Sequence, residues 1–377
     1  METVYSSARG DRLQTELAEL SSQADVNGLL LLATPSVDVT TAGFASILRS
    51  LPVPVCGGLF PQVIADGQRH EDGLLAIGLP NEPTIAVISE LSDPDDDLDA
   101  SLPTEGSEAA FVFVDAYADP DGVQSLIDAL FRTYSVGLSV VGGGAGRLDD
   151  DGPCLFTADG VIEDAAVMAV VDRPMGIGVR HGWAELAGPF RVTDAEGGTI
   201  RELDGEPAFE VYQDAIETTA ETTIQRESFF ETATAYPFGV SRLGGEPIVR
   251  DPFAVDGREI SCFGPVPEGE FVTVLSGEPD SLINAAGQAA DTALDDATLD
   301  DTALDGDAES AGTLCVFDCI SRQLYLEEGF DREVRAIDTA GIPMVGALTI
   351  GEIANDGTGH LDYYNKTAVV AAVSDDA

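Results

Sequence analysis

Ala110-Phe-Val-Phe-Val-Asp115, then Gly122–Tyr134, then Leu138-Ser-Val-Val-Gly-Gly-Gly144 is the stretch that decides the fold. Its first run is β-branched and aromatic, as a buried strand requires. Its middle carries apolar residues at helical spacing, and its last run is a second apolar strand ending in glycine. The same programme occurs as Val26–Thr34, Asp38–Ser50 and Val53–Gly58, and again as Thr313–Asp318, Ser321–Thr339 and Ile342–Gly346. After each copy comes an Asp-Gly turn, at Asp66-Gly67, Asp151-Gly152 and Asp356-Gly357. A further strand follows: Leu74–Leu79, Val161–Val171 and Thr367–Val373. The first and third copies also share a histidine, His70 and His360, three residues beyond the glycine. Internal repetition of this kind predicts one composite α/β body, with mixed sheets flanked by helices. The glycine-ended strands would bring several loops to one rim, where a small ligand could be held.

Composition narrows the setting. The chain has 377 residues, 44% of them hydrophobic, enough for sizeable cores. Asp and Glu number 68 against 18 Lys and Arg, a formal charge of −50, and Lys366 is the single lysine. Aspartates sit in nearly every loop, a surface that stays hydrated where molar salt screens charges beyond about 3 Å. The chain therefore reads as a halophile's cytoplasmic protein, haloarchaeal in type. Nucleic acid is not expected as a partner, because no cluster of arginines offers a basic patch. No run approaches the roughly 20 apolar residues of a membrane span, and Met1–Gly10 has no basic-then-apolar leader pattern. Five thinly spread cysteines do not form a disulfide framework.

Along the chain, Arg12–Ser22 reads as a helix with Leu13, Leu17 and Leu20 on one face. Pro174 to Leu203 reads as antiparallel strands turning at Glu196-Gly197-Gly198, and Pro207 opens a helix. The expected division is an N-terminal helix over 1–24, one module over 25–206 and another over 207–377. An acidic tract over 291–312, with its repeated Asp-x-x-Leu, reads as a solvated insertion.

Val316-Phe-Asp-Cys319-Ile-Ser-Arg322 through Gly346-Ala-Leu-Thr-Ile-Gly351-Glu352-Ile353, followed by Asn365-Lys366-Thr367, resembles the C-terminal module of the FIST family. Val55-Cys-Gly57-Gly58-Leu-Phe60-Pro61 and Val141-Gly142-Gly143-Gly144-Ala145-Gly146 look like the N-terminal module. So does the run from Gly182-Trp183 to Glu202-Leu-Asp-Gly-Glu-Pro-Ala208. The resemblance implies a cytoplasmic sensory protein of signal transduction, binding an amino acid or related metabolite. In that family such modules accompany histidine kinases and similar outputs. None remains here, so the implied partner is a separate histidine kinase or other signalling protein.

The expected ligand rim takes Gly57, Gly58, Phe60 and Pro61 from one loop and Gly143, Gly144 and Ala145 from another, with Cys319, Arg322, Gly351 and Glu352 from the last unit. Glycine turns can present free N–H groups, Arg322 could pair a carboxylate bidentately and Glu352 an amino group. Against this, glycines also serve tight strand crossings, Cys319 shares a strand face with Cys315 and Phe317, and cysteine is often buried. No cofactor, metal or catalytic residue is expected. Two rival readings stand: a protein-binding adaptor, and a thiol hydrolase in which Cys319, His360 and Glu352 form a triad.

Overall fold

The computed structural model describes residues 1–93, 98–103, 108–135, 137–149, 151–220, 222–242, 245–297, 312–338, 341–355 and 360–374. Three copies of one unit make the body. The first runs β1 (Thr3–Ser6), α1 (Asp11–Ser21), β2 (Gly28–Ala33), α2 (Ala42–Ser50), β3 (Val55–Leu59), the hairpin β4 (Gln62–Ala65) and β5 (Gln68–His70), then β6 (Leu74–Leu79). The second runs β7 (Thr84–Ser89), β8 (Ala109–Asp115), α3 (Pro120–Tyr134), β9 (Ser139–Ala145), the hairpin β10 (Leu155–Thr157) and β11 (Gly160–Ile162), then β12 (Ala165–Val171). The third opens with β13 (Met175–Arg180) and is interrupted by residues 181–278. That insert carries β14 (Ala184–Glu196), β15 (Thr199–Leu203), β16 (Glu206–Pro207), α4 (Ala208–Thr219), α5 (Phe229–Ala233), β17 (Phe238–Val240), β18 (Ile248–Arg250), β19 (Pro252–Asp256), β20 (Glu259–Cys262) and β21 (Phe271–Ser276). The third unit resumes with α6 (Pro279–Asp296), β22 (Thr313–Cys319), α7 (Ile320–Leu326), α8 (Phe330–Ile337) and β23 (Met344–Thr349). It ends with the hairpin β24 (Glu352–Asn355) and β25 (Leu361–Tyr364), then β26 (Ala368–Val373).

Each unit builds a sheet in the same order, and each sends its hairpin to another unit's sheet. The orders are β1-β6-β2-β3-β10-β11, β7-β12-β8-β9-β24-β25 and β13-β26-β22-β23-β4-β5. The first unit's hairpin thus completes the third sheet, the second's completes the first and the third's completes the second. Within each sheet the helix-linked pair, β2 with β3, β8 with β9 and β22 with β23, is parallel. The exchanged hairpin strands pair with the second parallel strands at Gly57 with Phe156, Gly142 with Ile353 and Gly346 with Ile64, and there the glycines are required. A Cβ on Gly57 would lie 2.0 Å from the carbonyl oxygen of its partner Leu31. The equivalent distances are 1.9 Å for Gly142 against Val112 and 1.8 Å for Gly346 against Val316. No side chain fits at such an approach.

The three sheets face one shared core, because their parallel strands are apolar on every residue that points inward. At its middle meet Phe60, Phe113 and Phe317, one from each unit, with ring centroids 5.3 Å apart for the first pair and 5.7 Å for the second. The helices cover the outside of the sheets. Leu13, Leu17 and Leu20 of α1 are buried as their spacing predicts. The insert is an eight-stranded sheet, β18-β17-β21-β14-β15-β20-β19 with β16 beside β15, packed around α4 through Phe209, Tyr212 and Ile216. Strands β14 and β15 precede residue 207 while β20 and β21 follow it, so both halves of the chain share this sheet.

Several local expectations are corrected. Asp66-Gly67 does turn the first hairpin, with both residues at positive φ, but Asp151-Gly152 precedes β10. Its equivalent turn is at residues 158–159, between Thr157 and Gly160, where the pairing closes on two residues. Asp356-Gly357 lies outside the described residues. The single strand expected over Val161–Val171 breaks at Glu163 into β11 and β12. The acidic tract does not begin at Asp291: α6 continues to Asp296 with Ala293 fully buried, and Asp296 accepts the Ile177 N–H at 3.2 Å. Residues 298–311 lie outside the described residues. Strand β1, too polar to announce itself, is found at a sheet edge.

Candidate functional site

Parallel strands place ligands beyond their C-terminal ends, where loops diverge. Here the ends of β8, β9, β22 and β23 face the insert, and a cleft lies between them. It consists of two adjoining cavities of about 230 and 300 Å³ that share Tyr117 and Phe263. Tyr117 follows β8, Leu148 follows β9, Cys319 ends β22 and Ile350 follows β23. The insert supplies Phe230, Asp251, Phe253 and Phe263. Among the described residues eight large hydrophobic side chains are exposed. Five of them, Tyr117, Leu148, Phe230, Phe253 and Leu324, line this cleft. Apolar surface left open to water is costly, and its convergence on one concavity marks a binding surface.

Under the smaller cavity the floor is polar: Asp251, Ser321, Asn365, the Cys319 thiol and the Gly351 backbone. Asp251 is 1% exposed, and its Oδ2 lies 3.2 Å from Lys366 Nζ. Burial raises the Asp251 carboxyl, while Lys366 and Ser321 pull it back. Neither Asp251 oxygen takes a hydrogen bond of good geometry within the described residues. Lys366, the one lysine of the chain, is fully buried with its ammonium 5.5 Å from the Trp183 ring centroid. Gly351, at φ 81°, has no room for a side chain, since a Cβ would lie 2.3 Å from the Tyr363 hydroxyl.

Behind the floor stands a buried ionic frame. Arg322 is wholly enclosed and uses all five of its N–H groups on the protein. Nε and Nη2 donate to Glu333 at 2.8 and 2.7 Å, Nη1 to the His181 and Lys366 carbonyls at 2.6 and 3.1 Å, and Nη2 to the Leu282 carbonyl at 2.9 Å. Asp318 lies 3.3 Å from the same guanidinium, and burial, reinforced by Glu333, pushes its carboxyl well above the ordinary range. Glu352 accepts from the Thr349 hydroxyl at 3.0 Å and the Thr367 N–H at 3.3 Å, and faces the Cys319 thiol. Burial raises both groups well above their usual values. His181 accepts the Trp183 N–H on Nδ1 at 2.9 Å and is held neutral, depressed to about 4 by burial and then by Arg322 and Arg180.

The rim expected from the sequence is therefore divided. Cys319 and Gly351 line the cleft. Arg322 and Glu352 lie behind it, and Arg322 has no donor left to offer a ligand carboxylate. Gly57, Gly58, Phe60, Gly143, Gly144 and Ala145 are buried where the sheets exchange hairpins. A Cβ on Gly58 would meet the Ala145 Cβ at 2.9 Å, and on Gly143 and Gly144 the carbonyls of Gly351 and Ile350 at 2.4 and 2.1 Å. Their N–H groups serve the strand crossing, as in Gly144 N–H to Gly351 O. Pro61 is half-buried at the turn into β4. The paper triad does not assemble around an open thiol: Cys319 is 2% exposed, whereas His360 is exposed just before β25. His70 stacks on Tyr5, and no group of three metal-ligating side chains occurs among the described residues.

Sequence reasoning missed Tyr117, Asp251 and Phe263, which belong to connections between elements, and Phe230 of the short α5, none of which carries a repeat or motif. One signal was present. A chain that dispenses with lysine elsewhere keeps a single one, and it sits beside the floor of the cleft.

Residues 10–206 match the FIST N domain model and residues 208–355 match the FIST C domain model. A search of curated proteins returned no match. No helix among the described residues is long and apolar enough to cross a membrane. With both modules present in order over most of its length, the chain belongs to the FIST family, whose domains are sensory domains of signal transduction.

Proposed function

We propose that the protein is a non-catalytic sensor that takes a small molecule into the cleft between the insert and the second and third units, and passes its state to a separate signalling partner. The observation that carries this reading is the convergence of five exposed hydrophobic side chains on a concavity with a polar floor. Both family modules contribute walls, so a bound ligand would bridge them and bias how the insert sits on the body. Binding rather than turnover is favoured because the two thiols that line the cleft, Cys262 and Cys319, are enclosed and held protonated by burial. A metabolite thermal-shift screen in molar KCl tests the reading, since a ligand of the folded state raises the melting temperature. The expected result is a shift for some metabolite, retained in Cys319→Ser without any consumption of the compound. Turnover that disappears in Cys319→Ser would replace the sensor by a thiol enzyme.

A further inference from the structure

Charge is distributed unevenly around the cleft. Its lining contains no lysine, arginine or histidine among the described residues, and Asp251 is the one charged side chain that reaches it. Arg322 is saturated and Lys366 faces Asp251 from beneath, so neither cation is presented to the cleft. Asp251 faces Lys366 through Oδ2 at 3.2 Å, while its Oδ1 is buried without a hydrogen bond of good geometry, and an acceptor left so costs free energy. The lining beside it includes Tyr117, Phe230 and Phe263, and an aromatic ring attracts a cation placed over its face. The −50 formal charge of the whole chain acts in the same direction on approach.

We infer that the cleft selects a small organic amine, with its ammonium on Asp251 and its apolar body between Tyr117, Phe230 and Leu324, and rejects carboxylates and zwitterions. This rests on the ligand-binding reading of the cleft and narrows it, replacing the amino acid that the family resemblance suggests. The ammonium would donate to Asp251 Oδ1, which makes no hydrogen bond of good geometry within the described residues. A free carboxylate would meet no cationic partner anywhere on the lining.

The test uses four compounds of one shape on the intact protein in molar KCl: 2-phenylethylamine, 2-phenylethanol, 3-phenylpropionate and phenylalanine. Calorimetric titration should give the amine at least tenfold tighter binding than each of the others. Asp251→Asn should reduce amine affinity at least tenfold while leaving the alcohol nearly unchanged. Because Asp251→Asn also strips Lys366 of its partner, Phe230→Ala provides a second variant at an exposed position. It should weaken the amine and alcohol together. Equal or tighter binding of the propionate or phenylalanine overturns the inference yet leaves the cleft as a ligand site. If none of the four binds, the inference also fails. The cleft reading then depends on whether a metabolite of another class binds wild type and is weakened in Phe230→Ala, and it falls with the inference if no such compound exists.

Discussion

Arg322 directs every donor inward, so its role is to hold α7, α8 and the β25–β26 turn in register. Replacing it by Gln would leave Glu333 and Asp318 buried without their counter-charge, a change that costs about 3–5 kcal/mol. Urea unfolding of Arg322→Gln in molar KCl should show that loss, and unchanged stability would mean the frame is not what braces the floor. His181 gives a second, pH-resolved check. Its folded value of about 4 lies below the free value of 6.5, so its contribution is complete above pH 6.5 and is lost as pH falls through about 4. His181→Asn keeps an acceptor for the Trp183 N–H and removes the titration. Between those pH values wild type should lose about 3 kcal/mol relative to the variant, and parallel pH profiles would contradict the assignment. The carboxyls of Asp318 and Glu352 shift the opposite way, but they are common to both proteins and cancel in the comparison.

At the scale of elements, the strand–helix–strand units were legible because apolar runs and helical spacing are local properties of the chain. Strand β6 coincides with its expected limits, and α2 and α3 keep their expected C-termini. The exchange of hairpins was not legible, since nothing in Gln62–Ala65 says that it pairs with β23 rather than with its own neighbours. That exchange also explains why the glycines were read as ligand contacts. Glycine at a strand end looks alike in sequence whether it opens a binding loop or lets two sheets cross. The structure separates the cases by distance, and the separation can be tested. Gly57→Ala, Gly142→Ala and Gly346→Ala should each destabilise the protein by about 1–3 kcal/mol or more through overpacking. The three effects should be of similar size, because each methyl meets an equivalent carbonyl at 2.0, 1.9 and 1.8 Å. A neutral result at any one of them would remove that site from the shared crossing geometry.

Across the whole molecule, charge and cleft are linked. Carboxylates dominate the surface while the single lysine is kept inside, where it faces Asp251. An acidic shell of this kind is expected to need salt. Lowering KCl from about 1 M to ~0.1 M lengthens the screening distance from roughly 3 to 10 Å, and the melting temperature should fall steadily over that range. Independence from KCl would remove the halophile reading. The cleft itself could be anticipated only in outline, as loops beyond strand ends, because its second wall comes from an insert that the repeats do not contain. The most direct measurement is calorimetric titration of the most stabilising metabolite against wild type and Leu324→Trp. The substitution fills the cleft from an exposed position and should leave the unliganded melting temperature unchanged. The account predicts that binding drops at least tenfold in the variant, whereas equal affinity in both proteins would place the ligand elsewhere and contradict it.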